Sequence, residues 1–156
     1  ALIDGGVFAN NPTLCAFEEA RKTPFADCLH DPEKPNSPTA KQMLIVTIGT
    51  GSTKKPYHFR KMRNAGKIGW LEPIIDILMS GNSETVDYQL HQLFLSLDAA
   101  DQHDYYRMEP GLKEACSEMD IASPENIANL HQAGLTYISD HADLLNEIAR
   151  KIVLYD

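Results

Sequence analysis

The sequence predicts an α/β chain, rich in helix, that holds only a few strands of a mostly parallel sheet. Three observations predict it. An apolar start at Ala1-Leu2-Ile3 is followed by a helix pattern, a proline-rich loop and a second apolar run, which is βαβ order. That second run, Met43 to Ile48, is continuous rather than alternating and ends at Gly49. Such a run marks a strand covered on both faces, as in parallel sheets. After it, long segments show apolar residues at helical spacing, and only His103 to Met108 reads as a further strand.

The elements follow in order. Ala1-Leu2-Ile3 is read as the tail of a buried strand, and Asp4-Gly5-Gly6 as a turn in which glycine permits positive φ. Pro12 suits the first helical position with Asn11 as cap, and the helix runs to about Lys22. His30 to Thr39 holds three prolines with Asn36 and Ser37 and is a surface loop. Ser52 to Lys67 is a loop carrying a basic cluster. Trp70 to Met79 is helical with Pro73 early, and Ser80-Gly81-Asn82 breaks it. Val86, Leu90, Leu93, Phe94 and Leu97 form a helical stripe behind a new start at Asn82 or Ser83, read as core rather than as a lid helix. Ser123-Pro124-Glu125 supplies a cap, a proline and an acidic first turn, and Gly134 closes that helix. Ile138, His141, Leu145, Ile148 and Ile152 mark a last helix.

The chain has 156 residues, enough for one domain with a core. A formal net charge of -8 argues against general nucleic-acid binding, which needs surplus Lys and Arg. No apolar run approaches the roughly 18 residues of a membrane span. Cys15, Cys28 and Cys116 are too few and too scattered for a disulfide framework. They point to reduced thiols and a cytoplasmic setting. The six histidines show no metal-ligand spacing, so neither a metal nor a cofactor is expected.

Three stretches invite chemistry. Asp4 follows directly on a strand, and the carboxyl edge of such strands is where ligands collect in open α/β sheets. A free Asp carboxyl titrates near 3.9, so it serves as a base only by hydrogen bonding directly to a hydroxyl in a partly dry site. Asn10 and Asn11 are expected to brace its turn. Gly49-Thr50-Gly51-Ser52 follows a strand but lacks the third glycine of a dinucleotide fingerprint, because Lys54 stands there. It is read as a strand-ending turn. Lys54, Lys55, Arg60, Lys61, Arg63 and Lys67 make six of the 14 basic residues, in a stretch free of acidic ones. Two readings stand there: a solvated loop, or a contact for anionic lipid headgroups at a membrane surface, aided by Tyr57, Phe59 and Trp70.

The segments "DGGVFANNPTLCAFEEA" and "LIVTIGTGS" closely resemble the patatin-like phospholipase family, and "SETVDYQLHQLF", "YYRMEP" and "MDIASPENIANL" resemble the later part of its bacterial members. The similarity runs over nearly the whole chain. It implies a three-layer α/β/α lipid acyl hydrolase with a Ser-Asp dyad, phospholipase A or esterase in type, acting on a phospholipid or other acyl ester. Asp4 matches the family's aspartate, and Gly5 and Gly6 complete its motif. The family's G-x-S-x-G elbow and glycine-rich oxyanion segment do not occur in these residues. The chain is therefore expected to be the C-terminal portion of one patatin-like domain, spanning 1–156. Its partner would be the preceding part of the same protein, and alone it would be inactive. A noncatalytic storage or binding module and a nucleotide-regulated phospholipase are the alternatives.

Overall fold

The computed structural model describes residues 4–52, 56–118 and 120–155. The strand expected at Ala1-Leu2-Ile3 lies outside the described residues. The structure is helix-rich with a small parallel two-stranded sheet, as in the C-terminal part of a patatin-like α/β fold. The chain divides into two compact units, Ala1–Met43 with Pro56–Tyr105, and Leu44–Lys55 with Tyr106–Asp156.

The first unit is organised on one long helix. It comprises α1 (Gly6–Ala9), α2 (Thr13–Lys22), α3 (Phe25–Leu29), a 3-10 turn at Ala40–Gln42, α4 (Phe59–Met62), α5 (Gly66–Gly69) and α6 (Leu71–Leu95). Helices α1, α2 and α5 all pack on α6. Leu90 and Phe94, one helical turn apart, are fully buried, and Phe94 meets the Tyr105 ring at 5.8 Å. The Tyr105 hydroxyl donates to Asp87 Oδ1 at 2.5 Å. At the C-terminal end of α6, Gln102 Nε2 donates to the carbonyl of Leu95, one of those the helix leaves without a partner, and to that of Leu97 just beyond it.

Helix α6 corrects the expected break. Ser80-Gly81-Asn82 lies inside one continuous 25-residue helix. A mid-helix glycine costs only about 1 kcal/mol. Three packed helices outweigh that, and side chains from outside α6 bond its carbonyls at Met79 and Ser83. A Cβ at Gly81 would meet nothing within 4 Å. Gly81→Ala is therefore expected to raise stability by about 0.5–1 kcal/mol, seen as a higher urea midpoint with unchanged slope. A lower midpoint would show that the helix needs glycine there.

Two further corrections concern short elements. The loop expected from Ser52 to Lys67 contains α4 and the start of α5, each a single turn. Helix α3 arises in a segment with no sequence-based assignment, capped by His30 in the left-handed region at φ 52°.

The second unit holds β1 (Ile45–Ile48), β2 (Tyr105–Met108, whose first residue belongs to the first unit), α7 (Pro124–Asp140) and α8 (Ala142–Tyr155). Tyr106, Met108 and Ile148 are buried together, with Leu44, Val46, Tyr137, Leu144 and Leu145 packed around them. The Tyr106 hydroxyl donates to Glu147 Oε1 at 2.6 Å. Burial, with that bond, pushes the phenol above its ordinary value. Helix α7 starts as its sequence dictates: Ser123 caps it by accepting from Asn126 N at 3.2 Å, with Pro124 in the first turn. Gly134 does not close it. The helix runs on to Asp140 and takes Ile138 with it, and His141, stacked on Tyr137, marks the junction with α8.

Strand β1 is less covered than its apolar run predicts. Thr47 is buried, but Ile48 is 72 % exposed. Among the described residues β1 has β2 as its only strand neighbour, so its other edge carries no ladder.

Candidate active site

The Asp4 turn is built by the backbone. Gly6 N–H donates to Asp4 Oδ1 at 2.7 Å, and Val7 N–H donates to the Asp4 carbonyl at 3.2 Å, opening α1. A Cβ on Gly6 would sit 2.8 Å from that same Oδ1, so glycine is needed for close approach. It is not needed for positive φ, as the sequence suggested: Gly5 is right-handed helical at φ -62°, and Gly6 lies within α1. Nothing in the structure explains why residue 5 lacks a side chain.

One carboxylate oxygen of Asp4 is thus oriented by the chain, while no hydrogen bond among the described residues engages Oδ2. The side chain is exposed. The partly dry surroundings expected of a base are not formed by the described residues alone. Val7 and Phe8 follow on α1 at 70 % and 83 % exposure and give the turn an apolar flank.

Asn10 and Asn11 hold this turn through α6 rather than by touching the carboxylate. Asn10 Nδ2 donates to Met79 O at 3.2 Å, and buried Asn11 donates to Ser83 O at 3.3 Å. Asn11 Oδ1 also accepts from Thr13 N–H at 3.1 Å, but the start of α2 falls one residue later than expected: Pro12 holds the cap position rather than the first helical one, and no side chain caps the helix. The two adjacent amides therefore tie the Asp4 turn, the start of α2 and the middle of α6 into one piece.

The Gly49–Ser52 segment is closed to phosphate by its own chain. Glu109, just past β2, sends Oε1 to Gly51 N–H at 3.0 Å, and a Cβ on Gly49 would overlap its carboxylate. Arg107 binds the other oxygen of Glu109 and donates to Thr47 Oγ1 at 3.3 Å. The loop amide thus already holds an internal anion, which explains its reading as a strand-ending turn. Sequence reasoning missed Arg107 and Glu109. The only local sign of them is an Arg-x-Glu pair on one strand face.

The basic stretch is partly described. Lys54, Lys55 and the side chain of Lys61 lie outside the described residues. Arg60 on α4, Arg63 at its end and Lys67 on α5 are exposed, and none of the three forms an ion pair with a described residue. The Tyr57 hydroxyl donates to Asp76 Oδ2 at 2.6 Å, linking this stretch to α6. Cys15, Cys28 and Cys116 are exposed free thiols. Among the described residues no group of His, Cys, Asp and Glu is arranged to hold a metal ion, and no helix is long and apolar enough to cross a membrane.

The chain is 32 % identical over 153 residues to Patatin-like protein 1 of Arabidopsis thaliana, covering 93 % of this chain and 36 % of that protein. It is 33 % identical over 144 residues to Patatin-like protein 2 of Oryza sativa subsp. japonica, covering 85 % and 35 %. It is 31 % identical over 137 residues to Probable inactive patatin-3-Kuras 1 of Solanum tuberosum, covering 85 % and 36 %. The chain spans about a third of the length of these curated relatives. No protein-family model and no solved structure matches it. With the Asp-Gly-Gly turn at its head and this similarity running through nearly all of its length, the chain belongs to the patatin-like family.

Proposed function

We propose that the protein carrying this chain is a lipid acyl hydrolase working by a Ser-Asp dyad, with Asp4 as its base. The observation that carries the reading is the oriented carboxylate: Oδ1 is held by Gly6 N–H, in an exposed side chain on a turn anchored to α6. In a dyad the aspartate accepts the serine proton directly as the hydroxyl attacks the ester carbonyl. The protonated carboxyl then gives that proton to the leaving alkoxide as the acyl-serine forms. The carboxylate so restored draws a proton from the water that attacks the acyl-enzyme and returns it to the serine oxygen as the acid departs. The nucleophile and the oxyanion donors come from polypeptide preceding Asp4. The exposed Val7 and Phe8 offer apolar surface beside the reacting centre for an acyl chain.

A fluorophosphonate probe tests the assignment in the full-length protein. It should label a serine upstream of residue 1, and Asp4→Asn should slow the labelling greatly. Labelling unaffected by that change would remove Asp4 from the reaction. A noncatalytic module of the same fold is the second reading, favoured by the potato relative whose name marks it as probably inactive. Absence of any labelled serine would establish it.

A further inference from the structure

Between Pro56 and Leu71 the first unit sets large apolar side chains among cations. Phe59 is 75 % exposed, Ile68 91 % and Leu71 65 %. Arg60, Arg63 and Lys67 alternate with them along α4 and α5 and are exposed as well. From residue 52 to residue 71 there is no acidic residue, although the chain carries 22 of them. Ile68 thus stands almost wholly exposed beside three cations that pair with no described residue. An anionic protein that gathers its positive charge around protruding apolar tips has the makings of an interfacial contact. The tips enter the boundary of the acyl chains while the cations meet lipid phosphates. Trp70, at 37 % exposure, lies between them and is suited to the headgroup level.

We propose that α4, α5 and the first residue of α6 form a docking surface for anionic phospholipid bilayers. The surface deepens the hydrolase reading, on which its purpose rests, by bringing the Asp4-bearing unit to a lipid surface. Helix α5 packs on α6, as does α1, which carries the Asp4 turn, so docking and candidate chemistry share one scaffold.

The test is pelleting of the full-length protein with vesicles of phosphatidylcholine alone and of phosphatidylcholine with phosphatidylglycerol. Binding should require the anionic lipid and weaken with added salt. Each basic residue near an anionic surface contributes roughly fivefold to partitioning, so the combined Arg60→Gln, Arg63→Gln, Lys67→Gln variant should lose about 100-fold. Ile68→Ser removes a side chain almost wholly in solvent and should also release the protein while its thermal melt stays unchanged. Equal binding to both vesicle types, undiminished binding by the triple variant, or self-association of the wild type without vesicle binding would overturn the proposal. Failure here with Asp4-dependent ester hydrolysis intact leaves the hydrolase reading standing. Charge-dependent vesicle binding without hydrolysis keeps the docking surface and removes the hydrolase.

Discussion

Asp4→Asn in the full-length protein is expected to lower kcat for a short soluble acyl ester by about 10³-fold or more, while leaving KM and the thermal melt nearly unchanged. The physical reason lies in how little the substitution changes. Asparagine keeps the shape of the side chain and an oxygen that accepts from Gly6 N–H, so the bond that opens α1 survives. It has no basic oxygen to receive the serine proton, so the hydroxyl must attack without a base. General-base assistance of this kind contributes typically 10²–10⁴-fold. The contact most exposed to side effects is the approach of Gly6 to Oδ1, and the amide matches the carboxylate there. Turnover within tenfold of wild type would mean that the carboxylate is a structural cap of α1.

Gly51→Ala should destabilise the chain by about 2–4 kcal/mol, and Gly66→Ala by only about 1 kcal/mol. Both glycines have positive φ, +105° at Gly51 and +61° at Gly66. They differ in what surrounds them. A Cβ on Gly51 would overlap buried Leu112 and lie 3.2 Å from the Pro110 carbonyl oxygen, whereas one on Gly66 would meet nothing within 4 Å. The first substitution combines a strained backbone with overpacking, and it presses on the amide that binds Glu109. The second carries the backbone cost alone. Urea midpoints of the two variants separate these terms. Equal losses would show that Leu112 yields freely and that conformation, not space, requires the glycine.

The family relation gives these two predictions different scopes. The stability prediction concerns Gly51 inside the second unit and Gly66 inside the first, and holds whatever the protein does. The Asp4 prediction depends on polypeptide beyond the third of the relatives' length that this chain spans.

Much of the local architecture was legible because its causes are local. The start of α7 is written in Ser123-Pro124-Glu125, where a hydroxyl three residues from the amide that it caps decides the boundary. The end of α2 at Lys22, the proline-rich loop after His30 and the two strands are likewise determined by side chains within a few residues of one another. That Asp4-Gly5-Gly6 makes a turn was also visible, since a carboxylate two residues before a glycine amide is a short-range arrangement.

What tertiary structure alone decided depends on residues far apart in the chain. Gly81 and Gly134 look like helix ends, yet both lie inside helices. For α6, packing against α1, α2 and α5 and amide bonds arriving from Asn10 and Asn11 outweigh a local cost of about 1 kcal/mol. Glu109 closes the Gly49–Ser52 turn from 58 residues beyond Gly51, and no periodicity reports such a meeting. Chain-local preferences are worth about a kilocalorie per residue, and packing overrides them wherever several distant contacts converge.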